Sequence, residues 1–166
     1  MTIPLSRRAF LGGLACLVSA PTMALHPSAA AAPIPVMAEA EYDILCRTVW
    51  GEARSLGLPG MRAICAVILR RVALPQFPNT ISAVCLQKSQ FSVWMAGDPN
   101  RAKMRKVTTA DPSFVLAMQA CTEIVTGRAK SPVGLADHFH SGRKPRWAIG
   151  RKPVAVLGKL SFYRLF

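Results

Sequence analysis

The sequence predicts an α+β domain, mainly helical, with a small antiparallel β-sheet at its C-terminal end. Three observations carry this. Apolar residues recur at helical spacing from residue 39 to residue 125. After Gly127 that period gives way to short apolar runs, at residues 135–140 and 157–166, separated by a basic Gly/Pro/Lys/Arg loop at residues 141–153. The chain has 166 residues, 51% apolar and 17% charged, enough for one domain with a buried core and too few for a two-domain dinucleotide enzyme. No internal repeat is visible.

The helices follow in order. Tyr42, Leu45, Cys46, Val49, Trp50 and Ala53 form one stripe of a helix spanning residues 39–53. Gly57 and Pro59 interrupt it, and a second helix covers residues 59–73, with Pro59 tolerated in its first turn and Ile64, Val67, Ile68 and Val72 facing the core. Asn79 or Thr80 can cap a short third helix running through Leu86, because either side-chain oxygen can accept an unpaired backbone N–H. A polar loop is expected from Gln87 to about Ala110. The next helix opens on Asp111 as its cap and Pro112 as its first residue, buries Phe114, Ala117, Met118, Cys121 and Val125, and stops at Gly127.

Residues 1–32 read as a twin-arginine signal peptide and linker, ahead of a folded domain at residues 39–166. Arg7-Arg8 precede Phe10-Leu11 and an uncharged apolar run, followed by small residues. That run is about half of the roughly 20 residues a bilayer-spanning helix needs, so no stable membrane span is expected after cleavage. The chain carries 21 Lys+Arg against 8 Asp+Glu, a net charge of +13, and removing the signal leaves +11. Such a surface suits an anionic wall, and export argues against nucleic acid, although Arg143 to Lys152 with Trp147 could otherwise be taken as a nucleic-acid patch. The expected location is the periplasm or cell envelope. Cys46, Cys65, Cys85 and Cys121 remain where disulfides can persist; three of them lie on apolar helix faces, which suits buried free thiols at least as well as bridges.

Acids are scarce enough to be sorted by elimination. Glu39, Glu41 and Asp43 suit the first turn of a helix, Asp111 is a cap, Glu123 lies on a polar helix face, and Asp98 precedes Pro99 in a turn. Glu52 stands apart. It falls about 90° from its helix's apolar stripe at 100° per residue, at the C-terminal end where the dipole is negative, so dipole and partial burial both favour its protonated form. Such a carboxyl suits general-acid catalysis; a surface salt bridge to Arg47, Arg54 or Arg62 is the competing explanation. His138 and His140 alternate on a strand and share a face, but a catalytic zinc needs a third ligand that the sequence does not offer, so no metal is expected. No serine stands in a G-x-S-x-G elbow.

Val49-Trp50-Gly51-Glu52-Ala53-Arg54, the segment from Gly60 to Val72, Phe77-Pro78-Asn79-Thr80, Gln90-Phe91-Ser92, His138-Phe139-His140 with Pro145 and Trp147, and Gly158 with Phe162-Tyr163-Arg164 together resemble the SleB-like family of bacterial cell wall hydrolases. The resemblance runs from Tyr42 to Arg164 in the family's order. It implies a lysozyme-like fold, cleavage of the β-1,4 bond between N-acetylmuramic acid and N-acetylglucosamine in peptidoglycan glycan strands, and Glu52 as the catalytic acid. It also implies lytic transglycosylase chemistry, in which the sugar's own C6 hydroxyl replaces a second carboxylate and no cofactor is needed. Gln90, Phe91, His138, His140, Trp147 and Tyr163 match family positions and are expected to bind substrate, in a monomer. The chain departs from the family at Arg70, at Ser55-Leu56-Gly57 and at Leu160. A muramidase, or a wall-binding module of the same fold without catalysis, remains the alternative.

Overall fold

The computed structural model describes residues 37–166. The expected signal peptide and linker lie outside the described residues. Five helices precede a three-stranded sheet: α1 (Glu39–Ala53), α2 (Gly57–Val72), α3 (Ile81–Cys85), α4 (Arg101–Lys106) and α5 (Pro112–Val125), then β1 (His138–Ser141), β2 (Ala155–Leu157) and β3 (Leu160–Tyr163).

Helix α1 has the boundaries its apolar stripe predicts, and Glu39 and Glu41 sit in its first turn where the dipole favours them. Glu41 also accepts the backbone N–H of Ser82 at 2.9 Å, fastening α3 to α1. A single 3-10 turn, Arg54–Leu56, follows α1 and delivers the chain into α2, which starts two residues before Pro59. Thr80 caps α3 by accepting the Ala83 N–H, and Asp111 caps α5 by accepting the Ser113 N–H at 2.8 Å. Helices α1, α2 and α5 pack on one another around Leu45, Val49, Ile64, Val67, Ile68, Ala117 and Cys121, all fully buried. Cys46, Cys65, Cys85 and Cys121 are free and buried among these side chains.

Two expectations are corrected. The segment from Gln87 to Ala110 is not one loop: it holds a 3-10 turn at Ser92–Trp94 and the six-residue α4. Helix α4 has one apolar anchor, Met104 at 0% exposure, among four cations, so it offers no repeating stripe to a periodicity search. The apolar run at residues 157–166 is only partly strand: it provides the end of β2 and all of β3, joined by a turn at Gly158-Lys159.

The sheet order is β1-β3-β2, all antiparallel, with His138 opposite Tyr163, His140 opposite Ser161, and Ala155 opposite Phe162. Alternation sends Phe139, Leu160 and Phe162 inward and His138, His140, Ser161 and Tyr163 to the other face. Gly158 has φ +54, a left-handed conformation that glycine adopts without strain, and it sets Lys159 at the hairpin tip.

Candidate active site

Glu52 is the penultimate residue of α1, and the way α1 ends decides its surroundings. Gly51 lets the turn at residues 92–94 close directly onto the helix: a Cβ there would lie 2.5 Å from a Val93 methyl. Trp94 pins that turn by donating its indole N–H to Thr48 Oγ1 at 2.9 Å. Glu52 therefore lies under Ser92 and Val93, beside a hollow of about 290 Å³ lined by Gly51, Glu52, Arg54, Ser55, Asn100 and Lys159. One carboxyl oxygen, Oε1, is buried without a hydrogen-bond partner.

The expected rival, a surface salt bridge, is absent among the described residues because each arginine is engaged elsewhere. Arg47 pairs with Asp43 at 2.7 Å, and Arg62 pairs with Glu123. Arg54 donates to Asn100 Oδ1 at 2.7 Å and lies over the Trp50 indole at 4.5 Å. Burial raises the Glu52 pKa from its ordinary 4.5, and nearby Asp98 adds to the rise. The backbone N–H groups of Val93 and Ser92 and the Lys159 ammonium pull the other way without cancelling it. Asp98 is itself held low, accepting from the Asn100 N–H and the Ser92 hydroxyl. One raised and one lowered carboxyl thus stand near each other.

Of the remaining predicted residues, His138, His140, Trp147 and Tyr163 gather on the outer face of the sheet, whereas Gln90 and Phe91 lie off it. His138 and His140 do share a face, as their alternation predicts, and both pack against Trp147, at ring separations of 5.1 and 5.9 Å. Tyr163 stacks on His140 at 5.6 Å and meets the edge of Trp147, and these neighbours leave it only 2% exposed. Trp147 keeps a partly open face, whereas Tyr163 is its support. Gln90 is exposed and accepts from Arg71 at 3.2 Å. Phe91, at 1% exposure, is a core residue packed on Phe139 and offers no surface to a ligand. No group of three or more His, Cys, Asp or Glu side chains suited to a metal occurs among the described residues.

Strand β3 links the two groups: Lys159 stands at the Glu52 hollow and Tyr163 in the aromatic cluster, four residues or about 13 Å on. Sequence reasoning missed two residues here. Asp137, fully buried, pairs with His138 Nδ1 at 2.6 Å and accepts the backbone N–H groups of Leu165 and Phe166 at 2.9 Å each. Arg71, also buried, donates to the Asp137 carbonyl at 2.7 Å and lies over Phe77 and Phe91; burial pulls it down to about 10, against the opposing Asp137 carboxylate. A lone basic residue on an otherwise apolar helix face is the signal that could have exposed Arg71.

Comparison with known proteins bears on the family and the fold. Residues 57–163 match the Cell Wall Hydrolase family model, a span that opens just after Glu52. The spore cortex-lytic enzyme of Bacillus subtilis is 33% identical over 126 residues, covering 74% of this chain and 37% of that protein, so the chain spans little more than a third of that relative's length. The catalytic domain of the Bacillus cereus SleB protein superposes with a TM-score of 0.60 at 25% identity, covering 75% of this chain and 89% of that one. The catalytic domain of the germination-specific lytic transglycosylase SleB of Bacillus anthracis gives 0.61 at 23% identity, covering 78% and 98%. The fold is the lysozyme-like α+β fold that the sequence predicts, helical with a small antiparallel sheet, and by its match over residues 57–163 the chain belongs to the Cell Wall Hydrolase family.

Proposed function

We propose that this protein is a peptidoglycan glycosidase of the lytic transglycosylase type, breaking the β-1,4 bond between N-acetylmuramic acid and N-acetylglucosamine with Glu52 as its single catalytic carboxyl. The observation that carries the proposal is the Glu52 carboxyl itself. It has an orphaned oxygen, no cation within ion-pair distance among the described residues and a raised pKa, and it lines a hollow rather than a packed interface. A carboxyl that keeps its proton to higher pH than an ordinary glutamate can give that proton to the glycosidic oxygen as the C1–O bond breaks and an oxocarbenium-like muramoyl sugar forms. The resulting Glu52 carboxylate takes the proton of the C6 hydroxyl as that oxygen bonds to C1. The products are a 1,6-anhydromuramoyl end and a free N-acetylglucosamine 4-hydroxyl, and Glu52 regains its starting proton. Gln90, His138, His140 and Trp147 supply polar and aromatic contacts to the flanking glycan, with Phe91 and Tyr163 holding them from beneath.

The same reading places the protein in the cell envelope, exported through the Arg7-Arg8 signal, where relatives named for cortex lysis and cell wall hydrolysis also act. Mass spectrometry of the fragments released from purified peptidoglycan tests it. Anhydro-muramoyl ends are expected. Reducing muramic ends would make the enzyme a muramidase using water, and no soluble fragments would overturn the glycosidase assignment.

A further inference from the structure

A hollow of about 700 Å³, larger than the one at Glu52, is lined by Trp50, Lys103, Lys106, Val107, Thr108 and Asp111 among others. The two are separated by one pair of stacked side chains. Arg54 lines the Glu52 hollow and lies over Trp50, which closes the floor of the larger one. Asn100 likewise lines the smaller hollow and immediately precedes α4, whose Lys103 and Lys106 line the larger.

The charge of this hollow is uncompensated. Lys103 and Lys106 are exposed, and no carboxylate lies within ion-pair distance of any α4 cation among the described residues. The carboxylate in the wall, Asp111, is already committed to the Ser113 N–H and hydroxyl, which hold its pKa low. A concave site with two free ammonium groups on one rim suits a flexible anion.

Resting on the proposed glycosidase reading, we propose that this hollow is a subsite for the carboxylates of the stem peptide borne by the muramic acid whose glycosidic bond is cut. The stem departs from C3 of the same sugar whose C1 faces Glu52, so its acidic residues trail to one side of the scissile bond, within reach of an adjacent hollow. The enzyme would then prefer glycan with charged stems over neutral glycan, through binding rather than through chemistry.

The test uses soluble, un-cross-linked glycan strands in two forms: native, and with stem carboxylates converted to methylamides. Wild-type protein is expected to show an apparent KM about five-fold lower on the native strands, with kcat unchanged, the scale of two exposed ion pairs. The Lys103→Ala/Lys106→Ala variant should lose that difference and keep kcat. A matched control, Arg128→Ala/Lys130→Ala, removes two charges beyond the far end of α5, about 20 Å away by helix rise, and should preserve the difference. Equal KM on both strands for wild type, an undiminished difference in the lysine variant, or an equal loss in the control would each overturn the subsite. Failure of wild type to cut either strand would instead overturn the glycosidase reading beneath it.

Discussion

Replacing Glu52 with glutamine separates catalysis from stability, because the two should move in opposite directions. Glutamine is nearly isosteric and preserves the packing under Ser92 and Val93, but it has no acidic proton. Losing a positioned general acid costs about 100- to 10,000-fold in rate, or roughly 3–5.5 kcal/mol of barrier. Stability should rise. The folded-state pKa of Glu52 lies above its ordinary 4.5, so folding is penalised wherever the carboxyl must be charged while buried, fully above the folded pKa and not at all below the unfolded one. A buried charge lacking partners costs more than a neutral amide in the same place, a difference of about 1 kcal/mol for a side chain that still borders an open hollow. The assay is release of soluble fragments from peptidoglycan, paired with urea unfolding at pH 7 and pH 3. Glu52→Gln should be inactive, about 1 kcal/mol more stable at pH 7 and equal to wild type at pH 3. Retention of more than a tenth of the activity would refute the acid role, and a loss of stability at pH 7 would show that the carboxylate is favourably paired after all.

Three further predictions follow from the same geometry. Lys159→Met removes a charge that lowers the Glu52 pKa, so the acid form should persist to higher pH and the alkaline limb of kcat/KM should move up; Asp98→Asn should move it down, and a limb unmoved by both would show that another group titrates. Gly51→Ala forces a methyl against Val93, whose own side chain is 2% exposed, and should cost about 1–3 kcal/mol as a drop in thermal midpoint. Asp137→Ala leaves His138 and two backbone N–H groups unpaired in the interior and should lower the free energy of urea unfolding by about 3–5 kcal/mol.

The helical half was legible because α1, α2 and α5 announce themselves through apolar stripes and through the caps Thr80 and Asp111. Glu52 was legible for a different reason: in a chain with eight acids, one carboxylate at the wrong end of a helix cannot hide. What the sequence concealed was pairing. Asp43 and Arg47 stand four apart on α1, a pair the spacing already offered, but that Arg62 had a better partner in Glu123 and Arg54 in Asn100 is a fact of tertiary distance. Helix α4 was invisible because one methionine carries its burial. The aromatic positions could be matched to a family pattern, but whether each ring is partly open, as Trp147 in its 3-10 turn is, or sealed, as Phe91 just before the turn at residues 92–94 is, depends on tertiary packing outside the strands.

The four thiols sealed inside the helical core mean that nothing in the described architecture waits for an oxidant. Burial lifts the Cys85 thiol to about 12, far from the thiolate that exchange chemistry needs. The described domain is therefore held by packing alone, and its shape is as compatible with a reducing compartment as with an oxidising one.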